Sequence, residues 1–532
     1  MNGGNQMYHI DRKKDKPDIG YMEATIDKLM QKGIRLADCK ALMNYYGGLR
    51  DAFKSDIQTK YGIENPNSSK QITDFLDAES SKVELNCKND IIDVCYDAES
   101  GKWTSKAEAL EKLADYGYEF ARDLLNYRHA KKYAESIESI MSAADSDGLI
   151  HPLISLSKTN RIQYSKPGLL TIPKKLLWHI IAPYTPGNVL YSVDIKNQEP
   201  NILINMTGSE ELKKALESEE GLYECLFKQC FKPKTIANIL VDTLPENRVY
   251  SIDELRKIGT ISPAYYSPIK PLTRSIYYND ERVIGMESVC AGSEKGVHVE
   301  LPKTVDIETE NGNIYTVNVT WESDEKYFKK NKDYTLDGVL EGLEVRVSKV
   351  ERKEFKTAWN AISYGASLFG VDRACKVINA KQTYNYITKI AELKEYRSQV
   401  DKMARNGNTT IGTIFGTRLD AGYTDDYKKL KRILLDLPVQ GSGADILSLL
   451  IRHFYEYTSE KGISDKMDIY YTRHDELIIE VNGEWLKEVG AETVESILKD
   501  MLEHQVDDWI PFKIEVMQTK AEALGIDLEE EE

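Results

Sequence analysis

An apolar run, Tyr470-Tyr471-Thr472-Arg473-His474-Asp475-Glu476-Leu477-Ile478-Ile479-Glu480, is interrupted at its centre by a histidine and two adjacent carboxylates. Charge enters such a run at a cost unless a partner neutralises it. The β-branched and aromatic residues on both sides predict two strands, so His474, Asp475 and Glu476 fall at the tight connection of a hairpin, with a carboxylate aimed at a cation. A second acidic residue with the same setting ends the run Val189-Leu190-Tyr191-Ser192-Val193-Asp194, and Glu199 follows it. Two strand-end aspartates could share paired Mg2+ ions about 3.5–4 Å apart, which stabilise both the attacking and the leaving oxygen of a phosphoryl displacement. Taken singly, each segment reads as well as an aspartate that caps a strand merely to stay solvated.

Between these segments, Arg352, Lys356, Asn360 and Tyr364 recur every four residues and Gly365 follows. On a helix that period stacks two cations, an amide and an aromatic ring along one face, with the glycine at the C-terminal end. Such a row suits a nucleoside triphosphate, the cations meeting the phosphates as pyrophosphate leaves and the Asn360–Tyr364 end facing sugar and base. An ordinary solvated helix face has the same pattern.

In this order, Asp194 with Glu199, then Arg352, Lys356 and Tyr364-Gly365, then His474-Asp475-Glu476 resemble motifs A, B and C of family A DNA polymerases. Further segments are similar to the same family: Asn65 to Gln71 and Leu125 to Tyr133 in its thumb, Asn160 to Ser165 with Ile172-Pro173 at the palm entrance, Thr413 to Arg418, and Leu437 to Asp445. The resemblance implies that Asp194, the backbone carbonyl of Ile195 and Asp475 bind two Mg2+ ions, with Mn2+ able to substitute, and that Glu476 supports them electrostatically. It implies that Arg352 and Lys356 hold the triphosphate, Lys356 giving a proton to pyrophosphate, while Asn360 and Tyr364 face the nucleotide. Glu199 would exclude a ribose 2′-hydroxyl and so select dNTPs. His474 would reach the primer-terminal phosphate, and Arg161 and Gln440 would probe minor-groove acceptors that every correct pair shares. Ser68, Ser69 and Lys70 at a helix start, with Arg128, Lys131, Lys132 and Arg432, would contact the DNA backbone. The sequence departs from the family pattern at Asn360, where Phe or Tyr is usual, at Pro200-Asn201 and at Asp436. None of these is a metal ligand.

The implied architecture is an α+β right-hand polymerase fold, a palm with an antiparallel sheet beside a helical thumb and fingers. Tyr21 to Met43 has helical spacing and introduces it. The expected divisions are a flexible arm at 1–19, the start of the polymerase domain at 20–60, a thumb at 61–160, palm at 161–205 and 431–525, fingers at 206–234 and 351–430, and an acidic tail at 526–532. At 235–350 the texture turns to short β-rich runs with an Asn311-Gly312-Asn313 turn, predicting an inserted small all-β domain whose stretch from Lys303 to Val347 resembles an immunoglobulin-like repeat. Docking of a replication protein or guidance of the template strand is one role for this insertion; a tolerated spacer is the other. Few residues precede the thumb, so neither a proofreading exonuclease nor a 5′ nuclease is expected.

At 532 residues the chain exceeds one core. The seven cysteines contain no Cys-x-x-Cys and predict buried thiols rather than zinc or disulfides. The net charge of −16 runs against nucleic-acid binding, yet Arg128 with Lys131 and Lys132, Lys174 with Lys175, Arg352 with Lys353 and Lys356, and Lys428 to Arg432 cluster beside the motif segments and could line a positive channel. No signal peptide or membrane span is expected, and the reading is a cytoplasmic protein. Primer-template DNA and dNTPs are the implied partners. The alternatives are a single-subunit RNA polymerase of the same fold and a noncatalytic DNA-binding scaffold.

Overall fold

The computed structural model describes residues 19–82, 91–92, 95–97, 101–115, 117–259, 268–322, 333–375, 377–503 and 514–518. The expected N-terminal arm, but for its last residue, and the acidic tail lie outside them. The chain forms two compact units, one running from Glu199 to Val439 and the other comprising the described residues up to Gln198 and from Gln440 onward.

The unit built from the two ends of the chain holds a four-stranded antiparallel sheet. Its strands are β1 (Val189–Ile195), β2 (Met467–Arg473), β3 (Glu476–Val481) and β4 (Ile514–Gln518), in the order β2-β3-β1-β4. The β3 strand is buried along its whole length and β1 nearly so, which is why both read as almost continuous apolar runs. Helices Lys40–Tyr61 and Glu119–Ser142 pack along each other, and with Ser69–Lys82 and Ala107–Asp115 they enclose a core that includes Ile57, Ile72, Leu110, Leu124 and Tyr127.

The helical spacing read from Tyr21 to Met43 is broken in the structure. Helix Ile19–Lys32 stops at Gly33, Ile34–Arg35 pairs as a short strand with Leu149–Ile150, and the next helix starts at Lys40. Gly33 has φ +72°, and a Cβ there would stand 2.7 Å from the His151 ring, so backbone conformation and close approach both demand glycine. Apolar periodicity carries no signal of a break that one glycine imposes.

The Glu199–Val439 unit contains a nine-stranded sheet with strands lying between Lys234 and Val345. Neighbours pair antiparallel except Val289–Ser293 with Lys234–Val241, which run parallel. Thr304–Thr309 alternates exposed and buried and turns through Gly312 into Ile314–Trp321, as the Asn-Gly signal indicates. The stretch also includes a helix, Ile252–Ile258, with its own capping box. Two further helices bear on the site: α1 (Leu222–Cys230) and α2 (Lys349–Ser363), of which α2 carries motif residues. On α2 the apolar side, Phe355, Ala358, Trp359 and Ile362, is buried, which turns Arg352 and Lys356 outward.

Helix Tyr427–Glu460 includes a window of mean hydropathy 1.3, long and apolar enough to cross a membrane, but 83% of that window is buried inside the protein as a core helix would be. Among the described residues, Cys39, Cys95, Cys225, Cys230, Cys290 and Cys375 are free thiols, all but Cys225 buried.

Candidate active site

The acidic cluster is assembled by strand register. Glu476, the first residue of β3, lies directly opposite Asp194 near the end of β1. Between β2 and β3 only His474 and Asp475 remain, and His474 takes φ +52°, a left-handed conformation that His tolerates better than β-branched residues do. The turn therefore delivers Asp475 beside the β1 end. Its carboxyl is pushed up to about 6, first by burial and then by the negative charge of Asp194, so the two distant aspartates share one electrostatic environment. Ile195 closes β1 in register with Ile514.

Glu476 points inward and is 3% exposed. It accepts hydrogen bonds from Ser192 Oγ and from the Lys174 ammonium, which is 2.8 Å from its Oε1 and 3.2 Å from Asp194 Oδ2. Ser192 was missed by sequence reasoning, and Lys174 was read only as one cation of a positive channel. Ser192 had a signal, since two residues before Asp194 on a strand is the same face. Lys174 starts a seven-residue helix, Lys174–Ile180, and nothing in the sequence pairs it with these carboxylates.

His474 is exposed at the turn, yet partial desolvation of its ring, then Arg473, then Arg161 lower its pKa, so at neutral pH the ring is an uncharged hydrogen-bond donor. Arg473 is anchored by a 2.7 Å hydrogen bond from Nη2 to the Ile172 carbonyl, and Tyr164 Oη lies 2.8 Å from Thr472 Oγ1, tying the palm-entrance segment to the hairpin. Arg161 converges with Gln198 on the start of the Gln440 segment: a Cβ on Gly443 would stand 2.6 Å from Gln198 Oε1 and 3.4 Å from Arg161 Nη2.

Among the described residues no cluster of three or more His, Cys, Asp or Glu side chains forms a ready-made metal cage. What the site offers is an aspartate pair of hard oxygen donors whose charge, with that of Glu476, the single Lys174 ammonium offsets only in part. Mg2+ is commonly held by one or two carboxylates with waters and substrate phosphates completing its shell, so these residues fit that ion.

In the other unit, α2 presents Arg352 and Lys356 exposed and Asn360 half-buried, with Tyr364 capping its C-terminus. Arg352 Nε lies 3.3 Å from Glu224 Oε1 on α1, and the Lys356 ammonium sits 5.7 Å from the centre of the Tyr223 ring. Tyr364 donates a 2.9 Å hydrogen bond to Glu199 Oε2. Burial, then the charge of Glu199, raise the Tyr223 pKa far above that of a free phenol, so it stays protonated. Tyr223 and Glu224 lie outside the motif segments and had no sequence signal.

The residues assigned to DNA contact divide. Ser68 Oγ accepts from the Gln71 amide at 3.3 Å and caps helix Ser69–Lys82, leaving Ser69 and Lys70 exposed at its first turn. Lys132 and Arg432 are exposed, whereas Lys131 is bonded to Asn67 Oδ1 at 2.8 Å. Arg128 corrects the expectation of a free phosphate-binding cation: its guanidinium donates to the Ser105 carbonyl at 2.6 Å, and burial lowers its pKa. An arginine one turn from an exposed lysine looks the same in sequence whether it points to solvent or to a neighbouring loop.

A model of DNA polymerase family A matches residues 38–239 and 326–521, more than half of the chain, and a model of the bacterial Ig-like domain (group 4) matches residues 275–343. DNA polymerase I of Caldicellulosiruptor bescii is 30% identical over 206 residues, 36% of this chain and 23% of that protein. DNA polymerase I of Aquifex aeolicus is 29% identical over 185 residues, 32% of this chain and 30% of that one. A DNA polymerase of Mycobacterium phage L5 is 24% identical over 221 residues, 41% and 32% of the respective chains. The matched stretches thus span less than a third of these relatives. Among solved structures, the POL domain of Pol1 from M. smegmatis, in complex with DNA primer-template and dNTP, aligns with a TM-score of 0.58 at 16% identity, covering 94% of this chain and 69% of that one. That likeness establishes the polymerase-domain fold, and the family model, the motif order and the register of Asp194 with the Asp475 turn agree that this chain is a member of DNA polymerase family A.

Proposed function

We propose that the chain is a template-dependent DNA polymerase that adds dNTPs to a primer 3′-hydroxyl. The observation that carries the reading is the placement of Asp475 against Asp194, close enough for the charge of Asp194 to help hold the Asp475 carboxyl above the usual carboxylate range. Asp194, the Ile195 carbonyl and Asp475 would hold two divalent ions, Mg2+ or Mn2+, which when bound supply Lewis-acid chemistry to the attacking and leaving oxygens. Glu476, held by Ser192 and Lys174, keeps the β1–β3 junction rigid and negative.

Arg352 and Lys356 bind the triphosphate, and the Lys356 ammonium donates a proton to the departing pyrophosphate. Glu199, fixed by Tyr364, blocks a ribose 2′-hydroxyl. Neutral His474 donates to the primer-terminal phosphate, while Arg161 and Gln440 read minor-groove acceptors. Helix start Ser69–Lys70 with Lys132 and Arg432 holds the DNA backbone. In this reading the four-stranded sheet is the palm, the helices from Lys40 to Ser142 form the thumb, and α1 and α2 belong to the fingers. The reading places the protein in the cytoplasm.

The test is primer extension on a primed template with dNTPs or rNTPs and Mg2+, beside Asp475→Ala. Extension with dNTPs that Asp475→Ala abolishes supports the proposal; efficient use of rNTPs instead points to an RNA polymerase, and no extension with either leaves only a DNA-binding scaffold. The polypeptide is further proposed to lack 3′→5′ trimming, which metal-dependent shortening of a mismatched primer by Asp475→Ala protein would overturn.

A further inference from the structure

Glu351 is a carboxylate 2% exposed, and among the described residues its partners include no cation. It stands at the third position of α2 and forms a capping box with Ser348, accepting from the Ser348 amide at 3.2 Å and hydroxyl at 2.8 Å. An ordinary capping box ends there, at the solvent-facing start of a helix. This one continues inward. Thr273 Oγ1 donates to Glu351 Oε1 at 2.5 Å, and Ser275 Oγ donates to its Oε2; both residues are buried.

Thr273 and Ser275 lead directly into strand Ile276–Tyr278, through which the chain enters the Ig-like portion of the sheet. The chain leaves along Glu344–Val345, which pairs back onto Ile276 and Tyr277, and the Arg346 amide donates to the Ser275 carbonyl at 2.9 Å. Three residues later α2 begins. Entry strand, exit strand and helix start are thus stitched together at one buried carboxylate. Removing the hydroxyls would leave that buried charge with the Ser348 amide and hydroxyl alone among these donors, a cost relieved by moving the first turn of α2 toward water. Arg352 is the next residue and would move with it.

We propose that the β insertion acts as a positioning element for the phosphate-binding end of α2, with Thr273, Ser275 and Glu351 as the positioning residues. The inference rests on the polymerase reading above, and its test separates the two. In primer extension by the full chain, the Thr273→Val/Ser275→Ala protein should show a KM for dNTP raised about tenfold with kcat within about twofold, the signature of lost substrate binding rather than lost chemistry. Thr273→Ser, which keeps a hydroxyl, should behave as wild type. Amide hydrogen exchange across 350–356 should quicken in the double variant while that of Met467–Val481 is unchanged, a readout that needs no activity. If the double variant does not fold, Ser275→Ala carries the same test. Unchanged KM and exchange would overturn the proposal, as would kcat and exchange changing throughout the molecule; a wild-type chain that extends no primer would instead sink the polymerase reading.

Discussion

The Tyr364 hydroxyl donates a 2.9 Å hydrogen bond to the Glu199 carboxylate across 165 residues of sequence. The proposed exclusion of a sugar hydroxyl by this carboxylate requires that it be held still, and the phenol supplies the hold. Glu199→Ala should raise ribonucleotide incorporation relative to dNTPs by about 10–100-fold, the scale on which a pocket rejects one added hydroxyl. Tyr364→Phe should shift the same ratio in the same direction but less. Competition between dNTP and rNTP during primer extension measures both.

Asp475 links stability to pH. Its folded-state pKa of about 6 lies above the unfolded value of about 3.9, so folding favours the protonated form. The carboxyl costs no stability below about pH 4, and the cost grows as pH rises and is complete above about 6. Metal-free Asp475→Asn protein should therefore be more stable than wild type by on the order of 2 kcal/mol at pH 8 and equal to it near pH 4. Urea denaturation in a chelator across that range checks this, and added Mg2+ should narrow the difference by neutralising the wild-type carboxylate.

Lys174 is the counter-charge of the cluster, within hydrogen-bond range of both Glu476 and Asp194. Lys174→Met leaves buried Glu476 with Ser192 alone among these donors. The metal-free variant should lose about 1–3 kcal/mol of stability. Chemical denaturation with and without Mg2+ reads this, and partial recovery by Mg2+ is expected because the ion restores positive charge at the same carboxylates.

Gly443 leaves no room for a side chain between Gln198 and Arg161. Gly443→Ala should cost about 1–3 kcal/mol from overpacking. By displacing the Gln198 amide beside Arg161 it should also weaken primer-template binding several-fold, on the scale of one hydrogen bond, with the dNTP KM nearly unchanged. Thermal melting and fluorescence anisotropy of labelled primer-template separate the two effects.

Much of the site was legible because it is written in short-range periodicity. A two-residue alternation ending in Asp194, an apolar run broken at Asp475, and a four-residue repeat from Arg352 to Tyr364 each specify a local element and the direction of its side chains. Gly33 shows the limit: the apolar spacing ran on through a position whose positive φ stops the helix. Arg128 shows another, since the spacing that placed it on a helix could not say that Ser105 would claim its guanidinium.

The sequence by itself determined which residues end strands and share a helix face, and hence that two carboxylates and two cations were available for chemistry on a phosphate. Only the tertiary structure decided that Asp194 would lie opposite Glu476, that Lys174 would bridge them, and that Glu351 would join the insertion to α2. Local geometry follows from neighbours a few bonds away, whereas a buried charge finds its partner through the packing of segments far apart in the chain, where only the whole fold sets the distance.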